Sequence, residues 1–321
     1  MALAFLKDCT NIVRSKRFLQ KQANDIKAFG ESNVRRQNVS DELLDAFTPF
    51  RRTSQKKCTL SDSKYFITKY EQEAGNEYLP LNWSNLTEEE KIDFIVKDRY
   101  SKLVSHKIMN KIHREKDEHL FSLDSEGNIV FYKKGNDSHC SGFVPENGTS
   151  VHNHTGFQMQ VLQNDELDYV MQREPKLMGS IAFSGEDIKE SFVSGERRAF
   201  VVDAMNNRFI MEISRKIREL NPFARLQEAV PPMSVISKGD KATMYVWNLK
   251  FAENDEKIEK AFKIATEYKN KKGTADFSEE KYKELAGNLA LTKAKALPDF
   301  TWRENILKEL GTECGFKFKE A

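Results

Sequence analysis

The chain has 321 residues, 31% of them charged, and a mean hydropathy of −0.64. It carries 51 basic against 49 acidic residues, and the resulting formal charge of +2 gives no global nucleic-acid footprint. No apolar run approaches a bilayer span, and Cys9, Cys58, Cys140 and Cys314 are scattered without a CxxC pair. A membrane protein, a disulfide framework and a cysteine-rich zinc site are therefore not expected.

The apolar start at residues 1–6 is interrupted by Lys7 and Asp8 and has no basic stretch before it, so the expectation is a cytoplasmic protein without a secretory leader. Residues 1–28 predict a helix, broken near 29–32. This stretch is locally basic (Lys7, Arg14, Lys16, Arg17, Lys21, Lys27). Its apolar positions Ile12, Val13, Phe18, Leu19 and Ile26 favour the solvated face of an amphipathic helix over a nucleic-acid arm. Ser40 caps a second helix that Pro49 ends, and residues 51–86 predict irregular chain with one short helix. Thr87 and Glu90 form a capping-box pair, opening a helix whose apolar period runs through Ile95, Tyr100, Leu103, Val104, Ile108 and Ile112.

From Leu120 the period changes to two. Residues 120–124 and 128–134 predict a hairpin around 125–127, and 141–145 and 149–154 predict further strands around an Asn147-Gly148 turn. Helices follow at 160–173, closed by Pro175, and at 185–194, capped by Ser184. A last hairpin is predicted over 198–203 and 208–213. Beyond Ser214 the prediction is mostly helical: 215–220, a break at Pro231-Pro232, a strand at 243–247, helices at 255–270 and 278–296 joined by 271–274, and a final helix at 302–310 after Pro298. The fold class is α+β or α/β, organised as a helical region 1–86, a sheet domain 87–215 and a mostly helical region 216–321.

Two of the six histidines stand one residue apart at a predicted strand end, His152 and His154. Alternation along a strand turns both imidazoles to one face, where a carboxylate from a following helix can join them. The segment 183–188 offers Ser184 and Asp187 for this. Two imidazoles and one carboxylate leave a tetrahedral zinc with an open position, the layout of a hydrolytic site. Ligand nitrogens must be unprotonated, so such a site would lose metal below about pH 6. The plainer alternatives are surface histidines on a sheet edge, with Ser184 and Asp187 serving as helix N-cap and N3 residue. His139 and Cys140 are adjacent and would point to opposite faces of a strand, so they form no nucleophile–base couple. His106 and His113 are expected on a solvated helix face.

His152, His154, Ser184 and Asp187 resemble the pattern of the JAMM (JAB/MPN) zinc metallopeptidases, whose relatives include RadC-like proteins and JAB-like domains of phage head proteins: an upstream glutamate, then His-x-His-Pro, then Ser-x-x-Asp. The stretch 118–130 is similar to the family's opening strand and hairpin and sets Glu118 where the family has its glutamate, with Glu115 a near rival. The resemblance covers roughly residues 95–215. Thr155 stands where the family has proline, and the stretch between second histidine and aspartate is longer than the family's, so residues 156–182 become an insertion in which Asp165 and Asp168 rival Asp187.

The resemblance implies a JAB/MPN-like sheet domain with helical flanks. It also implies zinc held by His152, His154 and Asp187, Glu118 as proton carrier, and Ser184 as hydrogen-bond donor to the oxyanion. The implied reaction is hydrolysis of a peptide or isopeptide bond in a peptide or protein substrate. A second implication is a metal-free JAB-like component of a protein assembly such as a phage head, since JAB-like domains that lose their metal persist as scaffolds. The insertion, anchored at both ends beside the site, would then be a lid or a partner surface.

Overall fold

The computed structural model describes residues 60–155, 162–177, 182–271, 278–297 and 300–320. The helices expected at 1–28 and after Ser40, the Pro298 break, most of the 271–274 connection and the start of the insertion helix at 160–161 lie outside the described residues. The elements are α1 (Leu60–Ala74), α2 (Glu88–Ile112), β1 (His119–Leu123), β2 (Ile129–Lys134), β3 (Thr149–His154), α3 (Asn164–Arg173), α4 (Gly185–Ser194), β4 (Arg198–Asp203), β5 (Arg208–Ile213), α5 (Arg215–Arg218), α6 (Pro222–Lys271), α7 (Glu279–Lys295), α8 (Thr301–Cys314) and β6 (Phe316–Glu320). No helix among the described residues is long and apolar enough to cross a membrane.

Local chemistry accounts for most element starts. Glu90 N–H donates to Thr87 Oγ1 at 3.3 Å, while Thr87 N–H donates to Glu90 Oε2 at 2.7 Å, so the predicted capping box opens α2. The β1–β2 hairpin turns through Gly127 at φ 86°, a conformation that favours glycine. The sheet order is β2-β1-β3-β4-β5-β6. β3 and β4 are parallel and all other neighbours antiparallel. A parallel pair requires a crossover, and the chain through α3 and α4 supplies it.

The sheet is covered on both faces, giving a mixed α+β architecture. Phe121, Leu123, Val151, Phe200, Val202 and Ile210 pack under Ile108, Met109 and Ile112 of α2. Their neighbours in the alternation, Ala199, Val201, Phe209, Met211 and Ile213, pack under Ile188 and Phe192 of α4, Ala229 and Ile236 of α6, and Leu307 of α8. Because Val151 points to α2, His152 and His154 point to the α4 side.

Four sequence expectations are corrected. Residues 141–145 form no strand, pairing neither with β1, whose two edges are taken, nor with the open edge of β2; side chains satisfy this segment instead, with Ser122 Oγ donating to Phe143 O at 2.6 Å and Lys133 Nζ to Ser141 O at 2.7 Å. Pro231 and Pro232 do not break the chain but lie inside α6. An interior proline costs about 3 kcal/mol, and here Ala229 and Ile236, both fully buried against α4 and the sheet, hold the helix across the lost hydrogen bonds. Residues 243–247 belong to the same helix rather than to a strand, the surrounding helix overriding their β propensity. The insertion helix starts at Asn164, behind a Gln163–Glu166 capping box.

The sequence reading also stopped short of β6, whose Phe316 and Phe318 alternate into the core beside β5. Thus the last described residues complete the same sheet that begins at His119.

Gly195 ends α4 at φ 67°, and a Cβ built there falls 2.0 Å from the Arg225 guanidinium. Gly195→Ala is expected to destabilise the protein by at least about 1–2 kcal/mol, the cost of a left-handed L-residue, before Arg225 moves. An unchanged urea midpoint would contradict this.

Candidate metal centre

β3 and α4 bring the predicted residues together. His152 Nε2 and His154 Nε2 lie 3.2 Å apart, His152 Nε2 is 3.3 Å from Asp187 Oδ1, and His154 Nε2 is 3.3 Å from Asp187 Oδ2. Both histidines are buried. Among the described residues this is the one group of three metal-ligating side chains whose ligand atoms lie within 4.8 Å of one another, and it could hold a metal ion.

The carboxylate is fixed by the helix start. Ser184 accepts from Asp187 N–H at 3.2 Å, while Ser184 N–H and Oγ–H donate to Asp187 Oδ2 at 2.6 and 2.8 Å. The capping box therefore occupies Oδ2 and leaves Oδ1 directed at His152. Ser184 and Asp187 thus have the capping roles that their spacing alone suggests, and the cap is also what aims Asp187 at the histidines.

The electrostatics are those of a coupled buried group. Burial pushes the Asp187 carboxyl up, but the His154 and His152 imidazoles outweigh it and hold Asp187 well below the usual carboxylate range. Burial acts to lower His154, and the Asp187 charge beside it overcomes this and raises it.

Glu118 immediately precedes β1. Leu120 pairs with His152 across the antiparallel β1–β3 ladder, and continuing that register sets Glu118 opposite His154 on the same face. Burial raises its pKa, while the charges of His154 and His152 act in the opposite sense, which locates the carboxylate in the field of the site.

The rivals lie elsewhere. Glu115 is exposed and stands 4.0 Å from His119 Nε2. Asp165 is exposed, and Asp168 pairs with Arg114 at 3.5 Å. Burial pushes the Cys140 thiol up to about 11, so it holds no thiolate at neutral pH. His113 Nδ1 lies 3.0 Å from Asn110 O. His106 is not solvated as expected: it is half-buried, edge-on to Phe200 and 3.4 Å from Arg208.

Two supporting residues were not foreseen. Asn153, between the histidines, is fully buried on the α2 face; its Oδ1 accepts from His119 N–H at 2.7 Å and its Nδ2 donates to Asp117 O at 3.2 Å. It locks β3 to the segment carrying Glu118. The signal was available, since alternation puts Asn153 opposite to its neighbours. Glu196 accepts from Ser150 N–H at 3.0 Å, and burial pushes its carboxyl up to about 7. Nothing local to Glu196 in the sequence indicates this contact. Thr155, in the proline position of the resemblance, donates its hydroxyl to Asp137 O. The insertion helix α3 docks on α7: Leu167 and Val170 meet Ala290 and Ala294, and Lys293 Nζ reaches Glu166 at 2.8 Å.

No family model, curated protein or solved structure matches the chain. Function therefore has to be inferred from the chemistry of the site itself.

Proposed function

We propose that the protein is a JAMM-like zinc hydrolase with a JAB/MPN-like sheet domain, acting on a peptide or isopeptide bond. The observation that carries this reading is the spacing of the ligand atoms. A tetrahedral zinc with bonds of about 2.0–2.1 Å spaces its ligands about 3.3–3.4 Å apart; His152 Nε2 lies 3.2 Å from His154 Nε2 and 3.3 Å from Asp187 Oδ1, and His154 Nε2 lies 3.3 Å from the other carboxylate oxygen, Oδ2. Three protein ligands from N and O donors also leave the open fourth position that catalytic rather than structural zinc sites keep.

Zinc bound there would supply an activated water with a pKa near 7 and a Lewis acid for the scissile carbonyl. His152, His154 and Asp187 would hold the ion, and the Ser184 cap keeps Asp187 from rotating. Glu118 takes the proton of the attacking water and returns it to the leaving amine. The Ser184 hydroxyl, which donates to Asp187 here, is the group we assign to the substrate oxyanion. The substrate is a peptide or protein met in the cytoplasm.

The test measures zinc by elemental analysis and hydrolysis of peptide and isopeptide-linked lysine substrates. Stoichiometric zinc that disappears in folded His154→Ala, together with loss of turnover, supports the proposal. A folded wild-type protein that takes up no zinc would falsify it and leave the metal-free assembly component, such as one of a phage head, as the better reading.

A further inference from the structure

At the far end of β3 from the histidines lies a cavity of about 480 Å³, separate from the metal centre. Its inner wall includes Ser101, Arg197 and Arg218, each no more than 8% exposed. Ser101 Oγ and Arg197 Nε have no hydrogen-bond partner there.

Charge around this wall does not balance. Asp98 accepts from Arg197 at 2.5 Å and from Arg198 at 3.0 Å, and Arg198 Nε also pairs with Glu212 at 3.0 Å. Two buried guanidiniums, Arg197 and Arg198, thus share the two buried carboxylates, and a third, Arg218, meets neither. Its bonds all go to neutral oxygens: Nε to Ile213 O at 3.1 Å, one terminal nitrogen to Asn147 Oδ1 at 2.8 Å and the other to Leu79 O at 2.7 Å. Burial, with Arg197 and Arg198 adding to it, lowers Arg218 to about 9, a sign of how poorly the cation is compensated. A guanidinium has five N–H groups, so two remain to be used. A buried cation without a counter-charge is costly, and an anionic group in the cavity would remove that cost.

The rim has the opposite sign. Glu90, Asp93, Asp124 and Glu126 line it with Lys97 as the one rim cation. Lys97 is taken by Asp93 at 2.9 Å and Glu126 at 2.8 Å. Asp124 accepts from the backbone N–H groups of Glu126 and Asn128 at 2.9 Å. A simple anion must pass this acidic rim, whereas a molecule with separated charges gains at both ends.

We propose that this cavity binds a small zwitterion, a free amino acid or short peptide, with its carboxylate on Arg218 and its ammonium group at the acidic rim. The ligand carboxylate takes the two remaining Arg218 N–H groups, and the ammonium faces Asp124 and Glu126.

The test is calorimetric titration of the full-length, chelator-treated protein, and of His154→Ala, with the common free amino acids and glycylglycine. Acetate, methylammonium and inorganic phosphate serve as single-charge probes. Saturable binding of at least one zwitterion, unaffected by His154→Ala and tighter than any single-charge probe, is expected. Arg218→Gln should weaken it by about tenfold or more. The rim pair Asp124→Asn with Glu126→Gln should weaken it similarly; because Asp124 also accepts from the backbone of the β1–β2 turn, Glu126→Gln alone, at an exposed residue, is the second variant. Binding of no zwitterion at millimolar concentration overturns the proposal. So does phosphate or acetate binding as well as the best zwitterion, or zwitterion binding that survives the rim substitutions unchanged.

Discussion

Glu118→Gln is expected to lower the proposed hydrolysis by about 10²–10⁴-fold, the usual worth of a positioned general base, while zinc stays bound. Glu118 is outside the group of three ligand side chains, so its loss removes a proton carrier and not a ligand. Its pKa is raised, first by burial, which moves it from the ordinary glutamate range toward neutrality, where a base exchanges protons most effectively. Activity that needs the carboxylate form should fall as pH drops through its titration, and this acid limb should vanish in the glutamine variant. The exposed Glu115 provides the control, because Glu115→Gln changes neither burial nor the site. The measurement is kcat/KM against pH with zinc content determined on the same samples. Full turnover in Glu118→Gln, or loss of turnover confined to Glu115→Gln, would assign the proton carrier elsewhere.

Asp98→Ala should be among the most destabilising single substitutions, at about 3–5 kcal/mol, the cost of stranding buried charges. Asp98 lies on α2 and is 2% exposed; it binds Arg197 and Arg198 at the start of β4, and Lys102 stands 3.3 Å from its second oxygen. Removing it leaves two buried guanidiniums to share Glu212 and the Tyr70 hydroxyl, which accepts from Arg197 at 2.7 Å.

The same network sets an acid dependence. Burial opposes the Asp98 charge, but Arg198 and Arg197 hold its carboxyl far below the usual range. Glu212 is likewise held down to about 2 against its own burial, chiefly by Arg198. Folded pKa values below the unfolded ones mean that this stabilisation is complete above the unfolded carboxylate range, near pH 4. It fades as pH falls toward 2. Urea unfolding of wild type should therefore weaken between about pH 4 and 2, and Asp98→Ala should show a shallower slope. A variant as stable as wild type at neutral pH would mean that α2 is secured to β4 by apolar packing alone.

What the sequence determined by itself is whatever a few neighbouring residues settle. The Thr87–Glu90 and Ser184–Asp187 capping boxes, the hairpin turning at Gly127, the strand 198–203 with its partner at 208–213, and the common face of His152 and His154 all follow from spacing within one or two turns of chain. These carried most of the candidate site, because a side chain's direction on a strand and a carboxylate's hold at a helix start are local properties.

Tertiary packing decided the rest. Continuity of α6 through Pro231 and Pro232 depends on burial of Ala229 and Ile236 against distant elements. The strand β6 exists because β5 offers it an edge, whereas residues 141–145 are held by the side chains of Ser122 and Lys133 and join no strand. Asn153, Glu196 and Arg218 matter through partners 34, 46 and up to 139 positions away. Hydrogen-bonding need can be seen in a residue's identity, but which distant group meets that need is chosen only when the sheet and its helices close around it.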